Sequence, residues 1–468
     1  MRIVRKAGTC RTAAVSIAVI CATAVAAASA FAAGPTGGMS ASEQQRLDAL
    51  SGNVTNLAGE VTQTQGEVKQ IEKAITVAPP AEGAQPQTVG EHVSVLEKDL
   101  GDFKTDVKTN LGVSIHGLVD AGYEHNFNQP NGNTNLYRAW DEDGFTLTQG
   151  NLHIEKDGTV GFVTDINVGQ VANAISSVTN YSNTSHVGSQ WIDPTQYYLT
   201  YTIPVGSGIA SQAGRFVTLL GAEVIPTYQN QNYNESRSFL FNLGEPLTHT
   251  GIQGAYTFND YVSFTGSLNN GWDDPALTTN NGPNYEGELA LNTKDKSLSL
   301  LINGIWGPNL AGHSNSNLGA IDPIVTWKPG FLPGVTLESE YLYASESGPV
   351  VNGHSASWQG LAGYFVYDWN AWELATRAEF FDDMDGARTE TTSPTGATLV
   401  NPQTLWEITQ TITYKVPEVT GLLARLEYRH DNSNVEIFPN NNPINSTTGT
   451  QQMWAGQDTL SANVIYAF

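Results

Sequence analysis

The sequence predicts an all-β transmembrane antiparallel barrel of about 16 strands, preceded by an N-terminal α-helical coiled-coil segment. Three observations predict it. The C-terminal residues alternate in polarity and stop at a phenylalanine; residues 111–468 repeat short alternating segments between Gly-, Asn-, Asp- and Pro-rich connections; and those connections are by turns short and long.

Over residues 459–468, Leu460, Ala462, Val464, Tyr466 and Phe468 alternate with Thr459, Ser461, Asn463, Ile465 and Ala467. A period of two puts the first set on one face of a strand. An aromatic-rich last strand ending in Phe resembles the signal by which bacterial outer-membrane barrels are recognised for assembly. Leu460, Val464, Tyr466 and Phe468 are therefore the expected assembly signal, with the barrel-assembly machinery and outer-membrane lipid as expected partners.

Upstream, the alternation marks strands at 112–124, 145–155, 159–168, 194–203, 209–217, 248–258, 261–270 and 284–293. It continues at 296–306, 319–328, 334–345, 357–368, 371–381, 403–414, 421–431 and 459–468. Short turns such as 156–159, 204–208, 259–260 and 369–370 alternate with long polar loops, a loop following every odd-numbered strand. Outer-membrane barrels keep short turns on the periplasmic side and long loops outside, so both ends of this barrel are expected in the periplasm. A soluble β-sandwich has many short strands too, but no reason to alternate connection length.

Individual strands separate a lipid face from a wet one. Leu422, Ala424, Leu426 and Tyr428 oppose Arg425, Glu427, Arg429 and Asp431; Trp372, Leu374, Ala378 and Phe380 oppose Glu373, Arg377 and Glu379. An Arg facing lipid at mid-depth costs about 2–4 kcal/mol, so the charges are expected inside. Trp306, Trp327, Trp358, Trp369, Trp372 and Trp406 fall at or near strand ends, where interfacial aromatic belts sit.

The N-terminus reads differently. Arg2, Arg5, Lys6 and Arg11 precede an Ala-rich apolar run over 13–33 that holds small-residue cleavage sites, the pattern of a signal peptide over residues 1–32. Cys21 follows Ile20 rather than a small residue, which argues against lipidation. Both cysteines lie in that segment, so the mature chain is expected to lack thiol, disulfide and cysteine-metal chemistry. Its removal leaves 18 Lys and Arg against 46 Asp and Glu, a balance that repels nucleic acid. No cofactor is expected.

Residues 34–110 form the expected periplasmic stalk. Leu47, Leu50, Val54, Leu57, Val61, Thr64, Val68, Ile71 and Ile75 are spaced three and four alternately, as are Val93, Leu96, Leu100, Phe103 and Val107 beyond a Pro-containing link at 78–86. That narrow seam specifies a coiled coil, and a homotrimer is its simplest form here. A single helix packed on or into the barrel is the alternative.

Several blocks carry a resemblance: Ala213-Gly214-Arg215-Phe216-Val217-Thr218, Gly221-Ala222-Glu223-Val224, the run from Asn232 through Arg237-Ser238-Phe239 to Asn242, and Pro246-Leu247-Thr248-His249-Thr250-Gly251. Asn270-Gly271-Trp272-Asp273 and Arg377-Ala378-Glu379-Phe380-Phe381-Asp382 add to it. In these the chain resembles the OmpL-like β-barrel porin family over most of 111–468. The resemblance implies an outer-membrane channel that passes small hydrophilic solutes or ions; it names no substrate.

The longest connection, 218–247, follows the fifth strand, where sixteen-stranded general porins carry the loop that folds into the lumen. It is expected to narrow the pore, with Arg237, Arg215, Arg377, Arg425 and Arg429 opposed to Glu223, Glu235, Glu379 and Glu427. The same residues read equally well as salt-bridged wall groups holding the loop. Residues 111–468 hold 12 Lys and Arg against 35 Asp and Glu, which predicts weak cation preference. Asp382-Asp383-Met384-Asp385-Gly386 lacks the closing glutamate of a calcium loop and reads as solvated loop charge.

Two other functions compete. A barrel enzyme would need a catalytic constellation, and neither a nucleophile elbow nor H-E-x-x-H accompanies the inward candidates His116 and His249. A structural role, in which the stalk tethers or spaces the envelope, predicts that the stalk rather than the barrel carries the phenotype.

Overall fold

A computed structural model describes residues 89–130, 138, 143–178, 190–229, 231–274, 282–309, 316–351, 353–389, 391–392, 398–399, 402–417, 419–441 and 453–468. The expected signal peptide and the first heptad run lie outside these residues. The chain divides into an N-terminal unit ending at Asp106 and a second unit, Val107–Phe468.

The second heptad run lies on a helix, α1 (Val89–Leu111). Phe103, on its seam, is 55 % exposed. The helix stops at Gly112, whose positive φ of 67° lets its N–H reach the Lys108 carbonyl at 3.0 Å.

The strands are β1 (Val113–Asn126), β2 (Gly144–Lys156), β3 (Val160–Val168), β4 (Ile192–Ile203), β5 (Ile209–Val217), β6 (Thr248–Thr257), β7 (Val262–Asn269), β8 (Asn284–Asn292) and β9 (Leu298–Pro308). They continue as β10 (Asn317–Trp327), β11 (Val335–Val351), β12 (His354–Trp369), β13 (Trp372–Asp383), β14 (Thr391–Thr392), β15 (Thr398–Leu399), β16 (Gln403–Lys415), β17 (Leu422–Ser433) and β18 (Gly456–Ala467). Apart from β14 and β15, which pair with each other, they form one closed barrel of sixteen antiparallel strands. Every segment expected to cross the membrane is one of its strands.

Closure is made by the C-terminal strand. β18 pairs with β1 from Leu118↔Ala467 to Asn126↔Thr459, and Phe468 and Gly117 exchange backbone hydrogen bonds of 2.9 and 3.0 Å. A Cβ on Gly117 would stand 2.6 Å from the Phe468 ring, so the glycine makes room for the terminal aromatic. Leu460, Val464 and Tyr466 face outward, at 39, 55 and 42 % exposure.

The faces divide as the alternation requires. Arg425, Glu427, Arg429 and Asp431 on β17, and Arg377 and Glu379 on β13, are buried inward, while Ala424, Tyr428, Ala378 and Phe380 point out. Trp306, Trp327 and Trp406 are exposed on the outside, but Trp358 is fully buried on the inner face. Its expected place in the outer belt is corrected by a partner that strand periodicity does not reveal: its indole N–H donates to the Gly244 carbonyl of the inner loop at 2.9 Å.

Two connections differ from expectation. The long loop expected between the eleventh and twelfth strands is instead an extension of the β11–β12 hairpin, with the register broken between Glu346 and Val351 and a left-handed Gly353 at its tip. In the β3–β4 connection, α2 (Gln170–Val178) buries Val171, Ala174 and Ile175, whose i, i+3, i+4 spacing is a helical signal.

Part of the lumen is an apolar core. Phe239 and Leu240 of the inner loop meet Leu318, Leu342, Ala344, Trp358, Phe381 and Leu405 of the wall. Val171, Ala174 and Ile175 of α2 pack on Ile225, Phe241 and Leu247 of the same loop. Each large side chain so buried contributes about 1.5–3 kcal/mol.

Candidate pore constriction

Residues 218–247 leave β5 and return at β6, and between those strands their backbone crosses to the far wall. Irregular backbone inside a barrel must find partners for its polar groups. The wall supplies them residue by residue.

Carboxylates take the amides. Asp322 on β10 accepts the Gly221 N–H at 2.7 Å, and Glu340 on β11 accepts Ala222 at 3.2 Å. Glu427 accepts Glu235 and Ser236 at 2.6 and 2.9 Å; Glu379 accepts Phe239 and, at 3.2 Å, Leu240. The last two amides open a single π-helical turn, Leu240–Gly244, which presents Leu240 and Phe241 to the two apolar clusters.

Arginines take the carbonyls. Arg377 donates to Ser236 O at 2.7 Å while pairing with Glu407 at 2.7 Å and loop Glu223 at 2.5 Å. Arg425 donates to Asn232 O at 2.7 Å and pairs with Glu235 at 3.1 Å. Arg429 donates to Arg237 O at 2.5 Å, pairs with Asp431 at 2.6 Å, and has its guanidinium 4.8 Å from the centre of the Phe239 ring.

Seven of the nine expected residues thus meet at one contact: Glu223, Glu235, Arg377, Glu379, Arg425, Glu427 and Arg429. The pairing expected of the other two is corrected. Arg215 pairs with Asp193 at 3.3 Å and donates to Thr248 Oγ1 at 3.2 Å and Pro194 O at 3.0 Å, because β4 and β6 flank it on β5. Arg237 lies in the loop but turns back on its own chain, donating to Glu235 O at 2.6 Å; among the described residues no carboxylate lies within ion-pair distance of it.

Other participants were missed. Glu407 lies on an inward position of β16, in register with Asp431 of β17, whose inward face was expected but whose place in the contact was not; alternation plus register would have found both. Arg138, between Glu124 at 3.0 Å and Asp431 at 3.6 Å, sits in a polar loop that carries no pattern. Arg388 donates to Leu243 O at 2.5 Å and lies 5.1 Å from the centre of the Trp358 ring. Asp383 is buried rather than solvated, and its oxygens accept the amides of Gly386, Ala387, Arg388 and Thr389. Burial holds Arg388 below, and Glu235 well above, its ordinary range; Asp120 beside Glu235 pushes the same way. His249 is likewise structural, its Nδ1 2.8 Å from Gly271 O and its Nε2 3.4 Å from Glu286; His116 stacks on Tyr228 of the inner loop.

Little arginine charge on the inner side remains exposed. Arg138, Arg215, Arg237, Arg377, Arg425 and Arg429 are all buried, none more than 7 % exposed. Inward carboxylates that stay partly exposed include Glu288 and Glu338, along with Glu155, 3.4 Å from His153, and Glu373, paired with Lys415 at 2.9 Å. Glu338 and Glu223 share a cavity of ≈ 220 Å³ with Gln229, Gln231, Asn232, Tyr233 and Tyr364, where the inner loop faces the wall.

A sixteen-stranded barrel with an inward loop after its fifth strand is a porin architecture, and the sequence match agrees. The family model "Putative beta-barrel porin-2, OmpL-like" matches residues 112–468. The chain belongs to this family of outer-membrane porins. Among solved structures, Pseudomonas putida OprB aligns at 10 % identity with a TM-score of 0.50, covering 79 % of this chain and 97 % of that one. The outer-membrane channel DcaP of Acinetobacter baumannii follows at 12 % identity and TM-score 0.49, covering 76 and 97 %. An anion-selective porin from Comamonas acidovorans aligns at 11 % and 0.48, covering 76 and 99 %. At such identities the OprB likeness concerns the barrel fold alone. No curated protein matches the sequence.

Proposed function

We propose that this OmpL-like porin forms a water-filled channel for passive diffusion of small hydrophilic solutes and ions, narrowed by residues 218–247 and weakly selective for cations. The observation that carries the selectivity is the asymmetry of accessible charge: the arginines of the constriction are buried against the inner loop, while the inward Glu288 and Glu338 stay partly exposed and, among the described residues, make no ion pair. Accessible carboxylates between low-dielectric walls concentrate cations. The reading extends to the whole chain: residues 1–32 direct export, and residues 34–110 form a periplasmic coiled-coil stalk that joins three copies. Its support is the heptad seam and the exposed Phe103 of α1.

The test is the reversal potential across a KCl gradient for the wild type and for the Glu288→Gln/Glu338→Gln pair. A potassium preference that shrinks in the variant supports the reading. Anion preference in the wild type contradicts it.

A further inference from the structure

Where the inner loop begins and ends, three carboxylates converge without a counter-charge. Asp322 on β10, Glu340 on β11 and Glu245, just past the π turn, bring oxygens within 4.8 Å of one another. They are 0, 1 and 4 % exposed. Among the described residues none of the three pairs with a basic side chain, unlike Glu223, Glu235, Glu407 and Asp431 of the same wall and loop.

Their second oxygens are the informative ones. Asp322 and Glu340 each spend one oxygen on a loop amide, from Gly221 and Ala222. Asp322 Oδ1, Glu340 Oε1 and Glu245 Oε2 are buried with no hydrogen-bond partner. Beside them Asn303, 1 % exposed, donates its amide to Asp322 at 3.3 Å and leaves its own Oδ1 unpartnered. The backbone is shaped around the cluster as well: Gly221 has a φ of +94°, and a Cβ there would collide with the Glu245 carboxylate. Three buried carboxylates cannot stay ionised side by side without a compensating positive charge.

We propose that Glu245, Asp322 and Glu340 bind a divalent cation, calcium in preference to magnesium, which clamps both ends of the inner loop to the β10–β11 wall. The donors are all oxygen, with no imidazole or thiolate, which suits a hard cation rather than zinc. Calcium tolerates irregular coordination completed by water or an amide oxygen, whereas magnesium demands a near-ideal octahedron. Residues 221 and 245 lie at opposite ends of the loop, so one ion would tie together its departure from β5 and its return to β6.

The experiment uses the mature protein folded in detergent and stripped with EDTA. Terbium serves as the probe, because the Trp358 indole bonds to Gly244, next to Glu245, and is placed to sensitise its luminescence. The expected result is one saturable, calcium-displaceable site per chain, weakened by more than about tenfold in Glu245→Gln and in Asp322→Asn. Calcium is also expected to raise the thermal midpoint of the stripped wild type and to leave that of either variant unchanged. Both substitutions remove like charge and preserve shape, and migration of the unheated barrel on a gel checks that each has folded. A wild type with no calcium-displaceable signal overturns the proposal, as does equal binding by wild type and both variants, which would locate the ion in the acidic outer loops. A wild type whose midpoint ignores calcium also overturns it and leaves protons as the compensating charge. Binding is read without conductance, so this outcome is independent of the channel experiment above.

Discussion

Arg377 shows what one side chain does in this lumen. Its guanidinium is fully buried and joins wall Glu407, loop Glu223 and the Ser236 carbonyl. Arg377→Ala would leave two carboxylates buried against each other, and breaking such a pair from one side costs about 3–5 kcal/mol. The expected outcome is a barrel unfolding at markedly lower urea concentration in detergent. Arg377→Lys should recover only part of that loss, since an ammonium cannot reproduce the planar fork that serves Glu407, Glu223 and Ser236 together; full recovery would mean that charge alone matters there. At this scale the sequence revealed the face but not the partner. Alternation alone sends Arg377 and Arg429 inward, because lipid rejects them. It does not pair them with Glu407 or Asp431, whose proximity depends on the β13–β16–β17 register, and it says nothing of Arg237, whose direction is set by a local turn.

Among the elements, the inner loop is the one whose behaviour the structure redefines. Its position after the fifth strand and a salt-bridged hold on the wall were legible; its apolar anchoring was not, because the seats for Phe239 and Leu240 are spread over β10 to β16. Gly360 on β12 is one such seat: a Cβ there would stand 2.7 Å from Leu240 Cδ2 and 2.9 Å from the Phe380 carbonyl. Gly360→Val should therefore lift the π turn from the wall and raise unit conductance while the barrel stays folded; an unchanged conductance would show that the loop does not limit flow. Phe239→Ala probes the same contact by removal, with an expected cost of about 3–5 kcal/mol in barrel stability. Trp358 explains why an aromatic near a strand end is not always an interfacial anchor. The same strand faces lipid on one side and, where the loop packs, an apolar core on the other.

For the whole molecule, the strands and their antiparallel order were the most legible feature, since a period of two and the rhythm of the connections are both written in the chain. Which part of the lumen stays wet was not, because that depends on how residues 218–247 and α2 fold back. Oligomeric state belongs to this scale too. If the α1 seam joins three chains, the mature protein should have the mass of a trimer in detergent, and deletion of residues 34–107 should lower it; a trimer that survives the deletion would assign assembly to the barrel wall. On the proposed reading this barrel conducts through a lumen narrowed by its inner loop and lined by partly exposed carboxylates. Single-channel recording of the mature protein in a planar bilayer tests it most directly. Discrete conductance steps with a reversal potential favouring potassium are the expected result, and a silent bilayer seeded with folded protein would contradict it.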